Sequence, residues 1–246
     1  MALVYYTIPS GYFILPNFVH PQVLNIFTDA SIEPVDHSKF NSCYGAEAYC
    51  GDLLIDSEYR VCKDTTVNDS EIKGIRTAVG MAIKHRGEYP IINIFSDSQI
   101  SVYGIRDRIL KWDIYKDELV GSRHKPISNQ SIYIEIMRMI VDYQLYVNIY
   151  HQKGHVHSEG YNSMVNAADV FSTSNNVLGP IDMDFITYIS KKNASIDNNT
   201  RTILKEYTGE KCTDALYFGV NQFYQYRKQY KDIRRAQNDL QRPKGK

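Results

Sequence analysis

The most constraining stretch of this chain is Ile91-Ile92-Asn93-Ile94-Phe95, an almost unbroken apolar run entered through Pro90 and left through Ser96-Asp97-Ser98. A strand that is apolar at successive positions is buried on both faces, because its side chains alternate between them. Burial on both faces requires packing layers above and below. The segment therefore predicts a central strand of an α/β sheet.

The neighbouring patterns agree. Val23 to Asp29 is a short apolar run that reads as a first strand. Tyr44 to Ile55 and Glu58 to Lys63 read as a second and a third, separated by polar turn residues. Asn68 to His85 reads as a helix, with Asn68 as N-cap, Glu71 as its capping-box partner, and Ile72, Ile75, Val79 and Ile83 on one face. Helices are also expected over Ser98 to Leu110, Ile132 to Tyr143 and Ser163 to Ser174, with a strand at Leu145 to Tyr150. The order β-β-β-α-β-α-α-β-α predicts a three-layer α/β fold around a mixed five-stranded sheet flanked by helices.

Residues 1–22 read as an N-terminal extension, 23–176 as the main domain and 177–246 as a helical C-terminal extension. In that extension Gly179-Pro180 opens a short helix through Ile189, Asn193 to Asn199 reads as a polar linker, and Thr213 to Leu240 as a long helix. No run of about 18 apolar residues predicts a membrane-spanning helix. No secretory signal is expected at the N-terminus. Cys43, Cys50, Cys62 and Cys212 show no C-x-x-C spacing. Neither a zinc module nor a disulfide framework is expected, and the chain is read as cytoplasmic, in a host cytoplasm if viral.

The 28 basic and 28 acidic residues balance, but not evenly along the chain. Residues 201–246 carry 11 Lys/Arg against 5 Asp/Glu. The rest is acidic. An acidic body disfavours simple electrostatic binding of nucleic acid, and the basic C-terminal helix is where contact with a polyanion or a protein partner is expected. No membrane partner is expected.

Four acidic residues stand at strand ends or helix starts. Asp29 ends the first strand, Glu71 sits in the first turn of the following helix, Asp97 ends the fourth strand and Asp169 lies in the helix after the fifth strand. In an open α/β sheet, functional groups collect beyond the carboxyl ends of adjacent parallel strands. Crowded carboxylates repel one another, and hard divalent cations relieve that cost. Two such ions about 4 Å apart activate water and stabilise the leaving oxygen of a phosphodiester. Each residue taken alone also has an ordinary reading: Asp29 as a turn residue, Glu71 and Asp97 as helix-capping residues, Asp169 as a solvated helix residue.

The motifs around these residues resemble those of type 1 ribonuclease H. Phe27-Thr28-Asp29-Ala30-Ser31 is similar to that family's first motif, Thr65-Thr66-Val67-Asn68-Asp69-Ser70-Glu71 to its second and Ser96-Asp97-Ser98-Gln99 to its third. Lys153-Gly154-His155 followed by Ala168-Asp169 resembles its last. The resemblance covers residues 23–176 and implies a ribonuclease H-like fold. It also implies that Asp29, Glu71, Asp97 and Asp169 bind two Mg²⁺ ions (Mn²⁺ being an alternative), with His155 assisting proton transfer or product release. Thr66 and Asn68 match positions that hold the DNA-strand phosphate, and Gln99 a position beside the RNA strand. Trp112 and Asn129 lie in a segment resembling the substrate-handling protrusion, where Trp112 is placed to pack against a sugar.

The implied activity is hydrolysis of the RNA strand of RNA–DNA hybrids, leaving 3′-hydroxyl and 5′-phosphate ends. The alternatives are a nuclease of the same fold acting on DNA or branched DNA, and a non-catalytic nucleic-acid-binding protein. This sequence departs from the family pattern in three places. The segment after Asp29 lacks a glycine run and carries Glu33, Pro34 and Asp36. The loop after His155 is long and holds a second histidine, His157. Val165-Asn166-Ala167 precedes Ala168-Asp169.

Overall fold

Strand β1 (Val23–Asp36) is the axis of the fold, with a different kind of neighbour on each side. In the computed structural model, which describes residues 20–36, 39–156, 160–177, 181–212 and 222–241, β1 pairs antiparallel with β2 (Lys39–Cys50) and parallel with β4 (Ile91–Ser96). Strand β3 (Leu53–Thr65) lies outside β2, and β7 (Val147–His151) pairs parallel with β4. The five-stranded order is β3-β2-β1-β4-β7, mixed as the sequence predicts. A two-stranded hairpin, β5 (Asp113–Tyr115) and β6 (Glu118–Val120), stands apart from it.

The period of two along the strands sorts side chains into two cores. Leu24 and Ile26, with Ile92 and Ile94, Val147 and Ile149, face α1 (Val67–His85) and α3 (Gln130–Asp142). Phe27, Phe95 and Tyr150 face α4 (Tyr161–Asn175) and α5 (Met183–Glu206). On that second face Phe27 stacks on Phe95 with centroids 4.9 Å apart, and Phe95 on Tyr150 at 5.4 Å. Asn93, the one polar residue of the central run, is buried without penalty: it donates to Asn25 and accepts from Asn148, each at 2.9 Å.

Several boundaries differ from the sequence expectation. Strand β1 does not stop at Asp29 but continues to Asp36, so Glu33 and Pro34 are strand residues rather than loop. Gly51, at φ +57°, makes a tight turn that ends β2 at Cys50 and gives Leu53 to Ile55 to β3. The N-cap of α1 is Thr66, whose hydroxyl accepts from the Asp69 amide at 3.2 Å, rather than Asn68. The expected helix 98–110 is α2 (Gln99–Tyr103), then a π-helical turn (Gly104–Arg108) and a 3₁₀ turn (Ile109–Lys111).

The C-terminal region departs furthest. Asn193 to Asn199 is no linker; it is the middle of α5. Its polar residues looked solvated, but Asn193, Asp197 and Thr200 are buried beside Ile189 and Ile196. Of the long terminal helix expected, α6 (Phe223–Gln241) is described, and Phe223 and Tyr230 are buried in the core around α3. Residues 213–221 fall outside the described residues, as do residues 1–19 of the N-terminal extension and Gly179-Pro180.

Contrary to the cysteine reading, Cys62 and Cys212 form a disulfide across 150 residues. Local spacing carries no information on a pair that distant. The Cys212 amide donates to Val61 O at 3.0 Å, so the segment after α5 runs beside β3. Among the described residues, no helix is long and apolar enough to cross a membrane.

Candidate active site

Register brings the first two acids together. Thr28 pairs with Ser96, the last pair of the β1–β4 ladder, so Asp29 and Asp97 emerge side by side where the two strands separate. Thr28 points to the α1 face, where its hydroxyl donates to Gly45 O at 2.9 Å. A Cβ on Gly74 would collide with it, which lets α1 approach the sheet closely at that point. Asp29 points to the opposite face, beyond the Phe27–Phe95 stack. Glu71, from the first turns of α1, joins them through Ser98: the Ser98 hydroxyl donates to Glu71 Oε2 at 2.5 Å.

The three carboxylates share one electrostatic environment. Asp29 is only 8% exposed. Burial first, then the Asp97 charge, push its carboxyl up to about 8, against the donated hydrogen bond from the Ala30 amide. Burial also raises Glu71, opposed by the Ser98 hydrogen bond and reinforced by Asp97. Burial raises Asp97 in turn, while His155 opposes it. Each group thus resists ionising beside the others.

Backbone and imidazole brace Asp97 from behind. His151 closes β7; its Nδ1 lies 2.9 Å from Ser174 Oγ and its Nε2 3.2 Å from Asp97 O. Burial holds this imidazole below its ordinary value. Gly154 lies directly over Asp97, where a Cβ would collide with Oδ2. The loop holding it is tied to α4 by a hydrogen bond from Lys153 Nζ to Asn166 Oδ1. His155 follows Gly154 at φ +53°, with its side chain 60% exposed. His157 lies outside the described residues.

Asp169 is exposed on α4, one turn beyond the Asn166 that anchors the Lys153 loop. The fourth carboxylate whose charge raises both Asp29 and Asp97 belongs instead to Asp197 of α5. Sequence reading missed Asp197, along with Ser98, His151, Gln152 and Asn193. The available signal was Tyr188, Ile189, Ile196 and Leu204, whose helical spacing runs through the polar stretch.

Thr66 and Asn68 are exposed at the start of α1, and Gln99 is exposed at the start of α2, 3.4 Å from the Tyr103 hydroxyl. Thr66 and Asn68 open the helix that carries Glu71, Gln99 follows Ser98, and a helix start presents free amides suited to phosphate. Asn129 is half-buried at the start of α3. Trp112 is not a surface platform. It is 6% exposed and packs edge-on against Tyr133, centroids 4.9 Å apart, so its ring is core rather than available to a sugar.

The donors at the cluster are all carboxylate oxygens, buried at Asp29 and half-buried at Glu71 and Asp97, and they repel one another, a chemistry that fits hard divalent cations. Among the described residues, however, no three such groups stand close enough to close on one ion.

A five-stranded mixed sheet with carboxylates gathered where β1 and β4 part is a nuclease-like arrangement. The RNase H family pattern matches residues 21–174. The chain belongs to the RNase H family, and its α5 and α6 lie beyond the matched region.

Solved structures of low similarity include a foamy viral protease-reverse transcriptase in complex with RNA/DNA hybrid. It is 14% identical, with TM-score 0.48, covering 70% of this chain and 22% of that one. The PFV RNase H domain is 17% identical, with TM-score 0.46, covering 63% of this chain and 96% of that one. LC11-RNase H1, from a compost metagenome, in complex with RNA/DNA hybrid is 11% identical, with TM-score 0.39, covering 62% and 96%. This chain thus spans about a fifth of the foamy viral protein's length. No curated protein matches the chain.

Proposed function

We propose that this chain is an endoribonuclease that hydrolyses the RNA strand of RNA–DNA hybrids, leaving 3′-hydroxyl and 5′-phosphate ends. The observation that supports this reading is the approach of Asp29, Glu71 and Asp97, close enough that the Asp97 charge raises the other two, in an RNase H family domain.

Asp29, Glu71, Asp97 and Asp169 are the residues that would hold two Mg²⁺ ions, with Mn²⁺ able to substitute. When bound, such ions supply a water nucleophile and neutralise charge at the scissile phosphate. Ser98 orients the Glu71 carboxylate and leaves its second oxygen for ligation. His151 braces the Asp97 backbone through its Nε2, and burial disfavours a charge on its ring. His155, exposed on a loop anchored to α4, can exchange a proton with solvent and with a leaving oxygen. Thr66 and Asn68 offer a polar helix start to a phosphate of the DNA strand, and Gln99 an amide to the RNA strand. Discrimination for RNA rests on 2′-hydroxyl contacts in a wide minor groove. A cytoplasmic site of action belongs to the same proposal.

The test is cleavage of one labelled sequence presented as hybrid, RNA duplex, DNA duplex and single strands. Metal-dependent cutting of the hybrid's RNA strand is the expected result. Cutting of DNA alone would replace the substrate, and cutting of none would remove the activity.

A further inference from the structure

Helix α5 runs along β1 in a fixed register. At one end the Tyr188 ring meets Phe27 edge-on, centroids 5.9 Å apart. At the other, Thr200 Oγ1 lies 2.8 Å from Ser31 Oγ. Phe27, Asp29 and Ser31 point to the same face of β1, because they alternate along the strand. Asp29 therefore lies opposite the middle of the helical stretch between Tyr188 and Thr200. The buried polar residues between them are Ser190, Asn193 and Asp197, the last two one turn apart.

Both touch the cluster's surroundings. Asn193 lies beside Asp97, whose ionised form it favours, and its Oδ1 accepts from Gln152 Nε2 at 2.6 Å. Gln152 is 1% exposed, and its Oε1 is buried with no partner at this junction. An unsatisfied buried acceptor there is what a cation's water would satisfy. Asp197 is 8% exposed. Its carboxylate lies 2.9 Å from Arg201 and 3.9 Å from His155, the residue after the glycine that covers Asp97. Asp197, Arg201 and His155, with Asn193 and Asn198, line a pocket of about 120 Å³. The Asp197 charge bears on both Asp29 and Asp97; Arg201 offsets it in the cation-free chain, and a cation shared with those two carboxylates would offset all three.

We infer that Asp197, from a helix outside the matched family region, is a cation-positioning residue of this active site, with Asn193 holding Asp97 in place and Arg201 restraining Asp197 in the cation-free chain. The inference rests on the metal-dependent reading of the cluster. It makes α5 part of the catalytic centre rather than an appendage.

The test follows melting of the full chain as Mn²⁺ alone is added, with no substrate. Wild type is expected to be stabilised. Asp29→Asn, the control for the cluster itself, is expected to lose that response. Asp197→Asn is expected to need about 10- to 100-fold more Mn²⁺ for half-maximal stabilisation, the cost of losing a residue that orients ligands. Arg201→Gln breaks the same ion pair but keeps the carboxylate, and is expected to need no more Mn²⁺ than wild type.

An Asp197→Asn protein with the wild-type Mn²⁺ requirement, beside a weakened Asp29→Asn, would overturn the inference alone. Equal weakening in Asp197→Asn and Arg201→Gln would also overturn it, since the ion pair would then be merely structural. If neither Asp29→Asn nor Asp197→Asn changes the response, the metal-dependent reading falls with it.

Discussion

Ser98 Oγ donates a 2.5 Å hydrogen bond to Glu71 Oε2, joining the residue after Asp97 to the helix that follows β3. The bond takes Glu71 away from the capping role its position suggests and turns it toward the acids of β1 and β4. Thr66 caps the helix instead. One side chain thus settles which of two ordinary jobs Glu71 performs, and it does so by linking two motifs that lie 27 residues apart.

The carboxylate pair makes cation-free stability depend on pH. Asp29 is held at about 8 against an ordinary 3.8, so the folded chain keeps a proton that the unfolded chain releases. Stability from this group is fully present below pH 4 and is lost as pH rises through about 8. Thermal melting in chelator is expected to fall over that window in wild type and to fall less in Asp29→Asn. Parallel pH profiles for the two proteins would contradict the burial of an Asp29 charge beside Asp97. The same substitution is expected to abolish hybrid cleavage.

Trp112 belongs to the core, so its loss acts on folding. Trp112→Ala is expected to cost about 3–5 kcal/mol in denaturant unfolding. A variant of unchanged stability with weakened hybrid binding would restore the ring to the surface.

Helix α5 is a packing layer of the domain. Ile196 is fully buried among Phe27, Tyr188 and their neighbours. Ile196→Ala is expected to cost about 2–5 kcal/mol, measured by denaturant titration. A cost near zero would mean that α5 is a detachable tail.

The basic surface of α6 divides in two. Arg227 is spent on structure, donating to Trp112 O at 3.0 Å and Leu110 O at 2.7 Å. Lys228, Lys231 and Arg235 are exposed. Replacing these three with Gln is expected to weaken hybrid binding and to reduce the salt slope by about 0.7–0.9 for each phosphate that the variant no longer neutralises. An unchanged slope would assign the helix to structure or to a protein partner.

The main domain was legible because its signals are local. Alternation and apolar runs mark β1, β4 and β7, helical spacing marks α1 and α3, and the acids sit where those patterns stop. Three features were not legible. The extent of β1 past Asp29 depends on pairing with β2, which no local pattern reports. The Cys62–Cys212 bond depends on where the chain returns after α5. Asp197 was hidden because a helix whose inward face is polar looks like a linker. Asn193, Asp197 and Thr200 face Asp97, Asp29 and Ser31, and only the polar patch on the sheet explains a polar patch on the helix.

The most direct measurement is cleavage of a labelled RNA–DNA hybrid, beside the matching RNA and DNA duplexes, with Mg²⁺, with Mn²⁺ and with chelator, by wild type and Asp97→Asn. The account predicts cutting of the hybrid's RNA strand alone, with 5′-phosphate and 3′-hydroxyl ends, in either metal and not in chelator, and none by the variant. Undiminished cutting by Asp97→Asn, or cutting in chelator, would contradict it.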